Sequence, residues 1–119
     1  MISKKVTFLL RRPPSDSVNT LEMLDAILVA GVFEQSVSVL FKDQAVLLLG
    51  KSLSEDAELR HTQTIISSFQ SYGINDLYAC AASLDAMGLS VERLIAPVEP
   101  LSNDQQFKKL AEQDAVLSD

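Results

Sequence analysis

The sequence predicts an α/β fold with parallel strand pairing, and two observations carry that prediction. Short runs of apolar and β-branched residues alternate along the chain with segments whose apolar residues recur at helical spacing, which implies parallel strands with helices on both faces. Glycines and prolines stand at the joins between segments: Pro13 and Pro14 after the first run, Gly50, Gly73 and Gly88 after helical stretches, Pro97 and Pro100 near the end.

The first strand is Val6 to Leu10, continuous and apolar as a strand buried on both faces should be, and Pro13 ends the extended run. A helix is expected from about Asn19, which can cap, with Glu22 placed to complete a capping-box-like pair. Val18, Leu21, Leu24, Ile27 and Leu28 then fall on one face. The second strand is Val37 to Phe41, and Asp43 can cap a short apolar helix running to Leu49 and closed by Gly50. After a loop, Lys51 to Asp56, a helix is predicted from Ala57 to Tyr72, with Leu59, Ile65, Ile66, Phe69 and Tyr72 on its apolar face and Gly73 as its stop.

Leu77 to Cys80 is the third strand, and Ala81 to Met87 a short helix ending at Gly88. Arg93 to Ala96 reads as a fourth strand that the following prolines confine to an edge. Ser102 with Gln105 forms a capping-box pair opening a helix expected to bury Leu101, Phe107 and Leu110, and Ala115 to Leu117 supplies a last short strand.

A chain of 119 residues and 13.0 kDa, 47% hydrophobic and 22% charged, fits one folded domain spanning residues 1–119. Ten Lys and Arg against 16 Asp and Glu give a net charge of -6, which argues against direct contact with a nucleic acid backbone. One cysteine cannot form an internal disulfide, and nothing ahead of Val6 resembles a signal peptide, so a cytoplasmic location is expected. The longest apolar runs, Ile27 to Val32 and Ala45 to Leu49, fall far short of the roughly 20 residues that span a bilayer, so no membrane contact is expected. A mean hydropathy of +0.16 with few charges predicts that much of the apolar surface is interface.

In a parallel open sheet, ligands sit outside the carboxyl ends of the strands, here residues 11–17, 42–43, 80–83 and 97–102. The first of these loops has no glycine, so it can form neither a Walker phosphate loop nor a GxGxxG turn, and no cofactor is predicted. Strand one ends in Arg11 and Arg12 where a Mg²⁺-binding receiver site would need carboxylates. Zinc would need about four ligands, and only Cys80 and His61 are available, so no metal site is predicted. His61 reads as a surface residue on a helix rather than a base for Cys80. Arg11 and Arg12 are either solvated loop charges or a site for an anion or a partner's carboxylates.

Cys80 is the candidate reactive residue, because the helix beginning at Ala81 would turn its N-terminal amides and dipole toward the sulfur and favour a thiolate. Free cysteine is also among the most buried residue types, so the pattern alone leaves Cys80 open between a reactive thiol and a packed small hydrophobe.

The chain resembles the TusC/DsrF subunits of bacterial sulfur-relay complexes, within the larger DsrE/DsrF-like group. The resemblance is carried by Lys5-Val6-Thr7-Phe8-Leu9-Leu10 with its proline-containing loop, Glu22 followed by Leu24-Asp25-Ala26, Asp43 ahead of an apolar segment ending at Gly50, and Cys80-Ala81-Ala82-Ser83-Leu84 followed by Gly88-Leu89. It implies a three-layer α/β/α sandwich with a mainly parallel five-stranded sheet. It also implies assembly with paralogous B-type and D-type subunits as a dimer of heterotrimers that passes persulfide sulfur between carrier proteins. In one branch of the family that sulfur ends in 2-thiouridine at the tRNA wobble position, and another branch serves sulfur oxidation.

Cys80 matches the position of the family's reactive cysteine, with Ala81, Ala82 and Ser83 supplying the anion-stabilising amides. The resemblance also gives the main transfer role to the D-type subunit, which makes Cys80 at most an auxiliary persulfide site. The first loop departs from the family pattern, with Asp16 where glycine is often found and Leu21 where arginine commonly precedes the helix glutamate. Two other readings stay open: a structural subunit in which Cys80 is packed and unreactive, and a homo-oligomeric enzyme using Cys80 as a nucleophile on a small molecule, for which a base is missing.

Overall fold

A computed structural model describes residues 4–33, 36–51 and 56–119. Strands β1 (Lys5–Leu10), β2 (Ser36–Phe41), β3 (Asp76–Cys80), β4 (Glu99–Leu101) and β5 (Ala115–Ser118) form a sheet in the order β4-β3-β2-β1-β5, and every pairing is parallel. Helices α1 (Ser17–Val32), α2 (Ala57–Ser67), α3 (Ala81–Ala86) and α4 (Asn103–Ala111) supply the crossovers, with 3-10 turns at Asp43–Leu49, Phe69–Tyr72 and Val91–Arg93. Residues 52–55 of the expected loop lie outside the described residues.

Alternation along the strands divides the side chains between two faces. Phe8, Leu10, Val37, Val39, Phe41, Leu77 and Ala79 join Leu24 and Ile27 of α1 and Ile66 of α2 in the main core. On the opposite face Leu40, Tyr78 and Leu101 pack with Leu9 and with Leu110 of α4. The sheet is therefore the middle of three layers. Thr7 and Ser38, neighbours in register on the α4 side, are buried and bond hydroxyl to hydroxyl at 2.6 Å, so their polarity is satisfied without water.

Several local expectations change. Helix α1 begins at Ser17, and no Asn19–Glu22 capping box forms; Asn19 Nδ2 instead donates to Asp16 Oδ1 at 2.9 Å. Val18, in the first turn, is exposed, while Leu24 and Ile27 are fully buried. The long second helix breaks at Ser68 into a 3-10 turn, which rotates Tyr72 outward before Gly73, at φ 79, reverses the chain.

The fourth strand is Glu99–Leu101, not Arg93 to Ala96. Residues of the expected strand instead form the 3-10 turn and a single antiparallel bridge from Leu94 to Gly50, reinforced by the Ile95 N–H donating to Leu49 O. The edge position holds, and it is what allows Pro100 within the strand, since one side of β4 has no ladder to complete.

Helix α4 opens with the expected capping box, Ser102 Oγ accepting from Gln105 N–H and Gln105 Oε1 accepting from Ser102 N–H. Its phase differs from the expected one: Phe107 is 77% exposed and Gln106 only 2% exposed. Gln106 and Leu110 lie one turn apart on the sheet-facing side, and Phe107, about 100° further round the helix, points away.

Candidate functional site

Cys80 is the last residue of β3 and stands immediately before α3, with φ -67 and ψ 117, an extended conformation that lets the chain turn directly into the helix. Its side chain shares the α4 face with Tyr78 and lies beside Leu101, its partner in register on β4. The thiol is only 2% exposed.

Burial pushes the Cys80 thiol up, but the hydrogen bonds it receives together outweigh that and hold it below the ordinary thiol value. They come, in order of weight, from the Ser83 hydroxyl, the Gln106 carboxamide, and the backbone N–H groups of Ser83 and Ala82. Of the residues expected to stabilise an anion, Ala82 and Ser83 are among the groups that lower the thiol. Ala81, the first residue of α3, lies between Cys80 and those amides and is not among the groups that hold it.

The Ser83 hydroxyl is itself positioned from the second strand. The backbone N–H of Asp43 donates to Ser83 Oγ at 2.9 Å, leaving the hydroxyl proton for the sulfur. Asp43 makes that bond from a left-handed conformation, φ 54, uncommon for a residue with a side chain. Its carboxylate does not cap the 3-10 turn as expected; it accepts from Arg11 Nε at 2.7 Å. Arg12 pairs with Asp16 at 2.8 Å, so both loop arginines are engaged within the chain. The carboxyl ends of β1, β2 and β3 are thus linked in sequence, Arg11 to Asp43 to Ser83 to Cys80.

The residue that sequence reasoning missed is Gln106, 26 positions after Cys80 and brought over it by the β3–β4 pairing and the start of α4. The available signal was the helix phase: counting from the Ser102 cap, Gln106 shares a face with Leu110. His61 is exposed on α2, on the far side of the sheet from Cys80. Among the described residues no group of three or more His, Cys, Asp and Glu is placed to hold a metal ion, and no helix is long and apolar enough to cross a membrane. An open depression of about 690 Å³, lined by Lys51, Gly88, Leu89, Ser90 and Arg93, does not include Cys80. The site therefore presents a buried thiol held below its ordinary value, with His61 on the other side of the sheet.

The profile of the DsrE/DsrF-like family matches residues 4–118. The chain belongs to the DsrE/DsrF-like family. Over 98% of its length it is 31% identical to a protein TusC homolog of Pseudomonas aeruginosa, covering 99% of that protein. It is 25% identical over 93% of its length to the intracellular sulfur oxidation protein DsrF of Allochromatium vinosum, covering 83% of it. Among solved structures the ychN protein of E. coli superposes with a TM-score of 0.77 over 98% of this chain and 99% of that one; at 18% identity, this likeness speaks for the three-layer fold alone.

Proposed function

We propose that this chain is a C-type subunit of a hetero-oligomeric sulfur relay, built with paralogous B-type and D-type subunits as a dimer of heterotrimers, in which Cys80 is an auxiliary persulfide site. The observation that carries the reading is the position of Cys80 at the β3–α3 junction, where Ser83, Gln106 and the amides of Ser83 and Ala82 together hold its thiol below the ordinary value, with no metal-binding cluster among the described residues. Persulfide transfer needs no base or metal, only a thiolate and a sulfane sulfur to attack, and with Cys80 2% exposed it also needs local movement to admit the donor. The likeness to a TusC homolog and to DsrF supports the same class of function.

In the transfer step the Cys80 thiolate attacks the terminal sulfur of a donor protein's persulfide. A new S–S bond forms to Cys80 Sγ, the bond to the donor's cysteine breaks, and that cysteine leaves as a thiolate with the electron pair. The terminal sulfur keeps its proton, and nothing is oxidised or reduced overall. The same exchange run onward passes the sulfur to an acceptor protein. The destination we favour is 2-thiouridine at the tRNA wobble position, reached in the cytoplasm through protein acceptors, since a net charge of -6 does not suit direct tRNA contact.

The burial of Cys80 favours a second reading, a structural subunit whose cysteine never carries sulfur. Co-expression with B-type and D-type paralogues, followed by a sulfur-transfer assay on wild type and Cys80→Ser, separates the two. An auxiliary site predicts that Cys80→Ser assembles normally and transfers sulfur several-fold more slowly; undiminished transfer leaves the structural reading. A chain that stays a monomer or homodimer and captures no paralogue would overturn the relay assignment itself.

A further inference from the structure

We propose that Gln106 is the positioning residue of the Cys80 site, its carboxamide both holding the sulfur from the α4 side and covering it. The inference rests on the reading of Cys80 as a sulfur-carrying thiolate and adds to it the residue that governs when that sulfur is anionic and when it can be reached.

Gln106 is almost completely buried where an apolar side chain would pack more simply, while the aromatic ring next to it, Phe107, is left in solvent. Its Nε2 donates to Leu101 O at 3.0 Å. Leu101 is the register partner of Cys80, so this bond fixes the amide directly beside the sulfur. A carboxamide has two N–H donors and one acceptor. Nε2 is engaged by Leu101 O and has a second N–H to offer the neighbouring Cys80, whose thiol the Gln106 carboxamide helps to lower, yet Oε1 is buried with no hydrogen-bond partner among the described residues.

Had the amide been placed to satisfy itself, its oxygen would be paired as well, as nearly all buried polar atoms are. The amide is anchored through its donor side while its acceptor stays unpaired, an orientation that suits an electron-rich sulfur beside it. Among the described residues the elements packed around Cys80 carry Asp43 with its partner Arg11, Asp76 and Tyr78 on β3, Asp85 on α3, Glu99 on β4, and Asp104, Lys108 and Lys109 on α4, and none of these side chains is among the groups that lower the thiol.

The same placement closes the site. With Cys80 2% exposed, a reagent or a donor persulfide reaches the sulfur only when the first turn of α4 moves or the Gln106 side chain swings away. Stabilisation of the anion and access to it are therefore opposed through one side chain, and substitution should separate them.

The test is the rate of iodoacetamide alkylation of Cys80 across a pH series, in the full chain, for wild type, Gln106→Ala and Gln106→Leu, each checked for cooperative unfolding. Wild type should show an inflection below that of an ordinary thiol and a slow plateau. Gln106→Ala should move the inflection to higher pH and raise the plateau, because the donor and the cover are lost together. Gln106→Leu, which keeps the cover and loses the donor, should move the inflection without raising the plateau, slowing alkylation near neutral pH about tenfold, the size expected for one hydrogen bond to an anion. Inflections unchanged from a lowered wild-type one in both variants would overturn the role of Gln106 and leave the Cys80 reading standing. A wild-type inflection at the ordinary thiol position would overturn both.

Discussion

At Cys80 the electrostatics has a consequence for stability that a packed cysteine would lack. The thiol titrates lower in the folded chain than in the unfolded one, because hydrogen bonds from Ser83, Gln106 and Ala82 outweigh the cost of burial. Between those two values the native state binds fewer protons than the unfolded state, so stability rises with pH across that window. The contribution is complete above the unfolded thiol value and is lost as pH falls through the folded one. Denaturant unfolding of wild type and Cys80→Ala at several pH values across the mildly alkaline range should show the wild-type advantage growing with pH; parallel curves would mean that the thiol is not ionised more readily in the fold. Part of this site was legible before the structure. Cys80 and Ser83 are neighbours in sequence, and a strand running into a helix places amides at a sulfur wherever it occurs. Gln106 was not legible, because what brings it there is the register of β3 against β4, which no local pattern encodes.

Among the elements, α4 shows where pattern and packing part company. An apolar ring is expected inside and a carboxamide outside, and α4 reverses both, since its phase is set by the Ser102–Gln105 capping box and by Leu110 reaching the sheet. Two substitutions measure this. Ser102→Ala removes the cap and should cost about 1 kcal/mol in a denaturation experiment. Phe107→Ser should change stability by less than about 0.5 kcal/mol, as for any exposed position, whereas a buried Phe107 would cost several. A large loss on Phe107→Ser would restore the packing that the sequence pattern suggests. The strands were easier to read than the helix faces, because the interiors of β1, β2 and β3 are buried on both sides and appear as apolar and β-branched runs interrupted only by Ser38. β4 escaped because it is three residues long and contains Pro100, a residue that argues against strand everywhere except on an edge.

The molecule as a whole carries six more negative than positive charges at neutral pH, and its described ion pairs, Arg11–Asp43 and Arg12–Asp16, join side chains that are between 27% and 53% exposed. Pairs so exposed contribute between zero and about 1 kcal/mol each. The excess charge acts differently, since it repels across the whole fold, whose radius of gyration is 13.5 Å. Raising ionic strength from about 10 mM to about 150 mM shortens the screening length from about 30 Å to about 8 Å. The first length exceeds the radius of the fold and the second falls below it, so repulsion between distant carboxylates is screened while pairs in contact at 2.7 and 2.8 Å lose less. Thermal or denaturant unfolding should therefore show the isolated chain becoming modestly more stable as sodium chloride is added over that range. A fall in stability would mean that the arginine pairs at the carboxyl ends of the strands, and with them the Arg11–Asp43–Ser83 chain leading to Cys80, contribute more than their exposure implies.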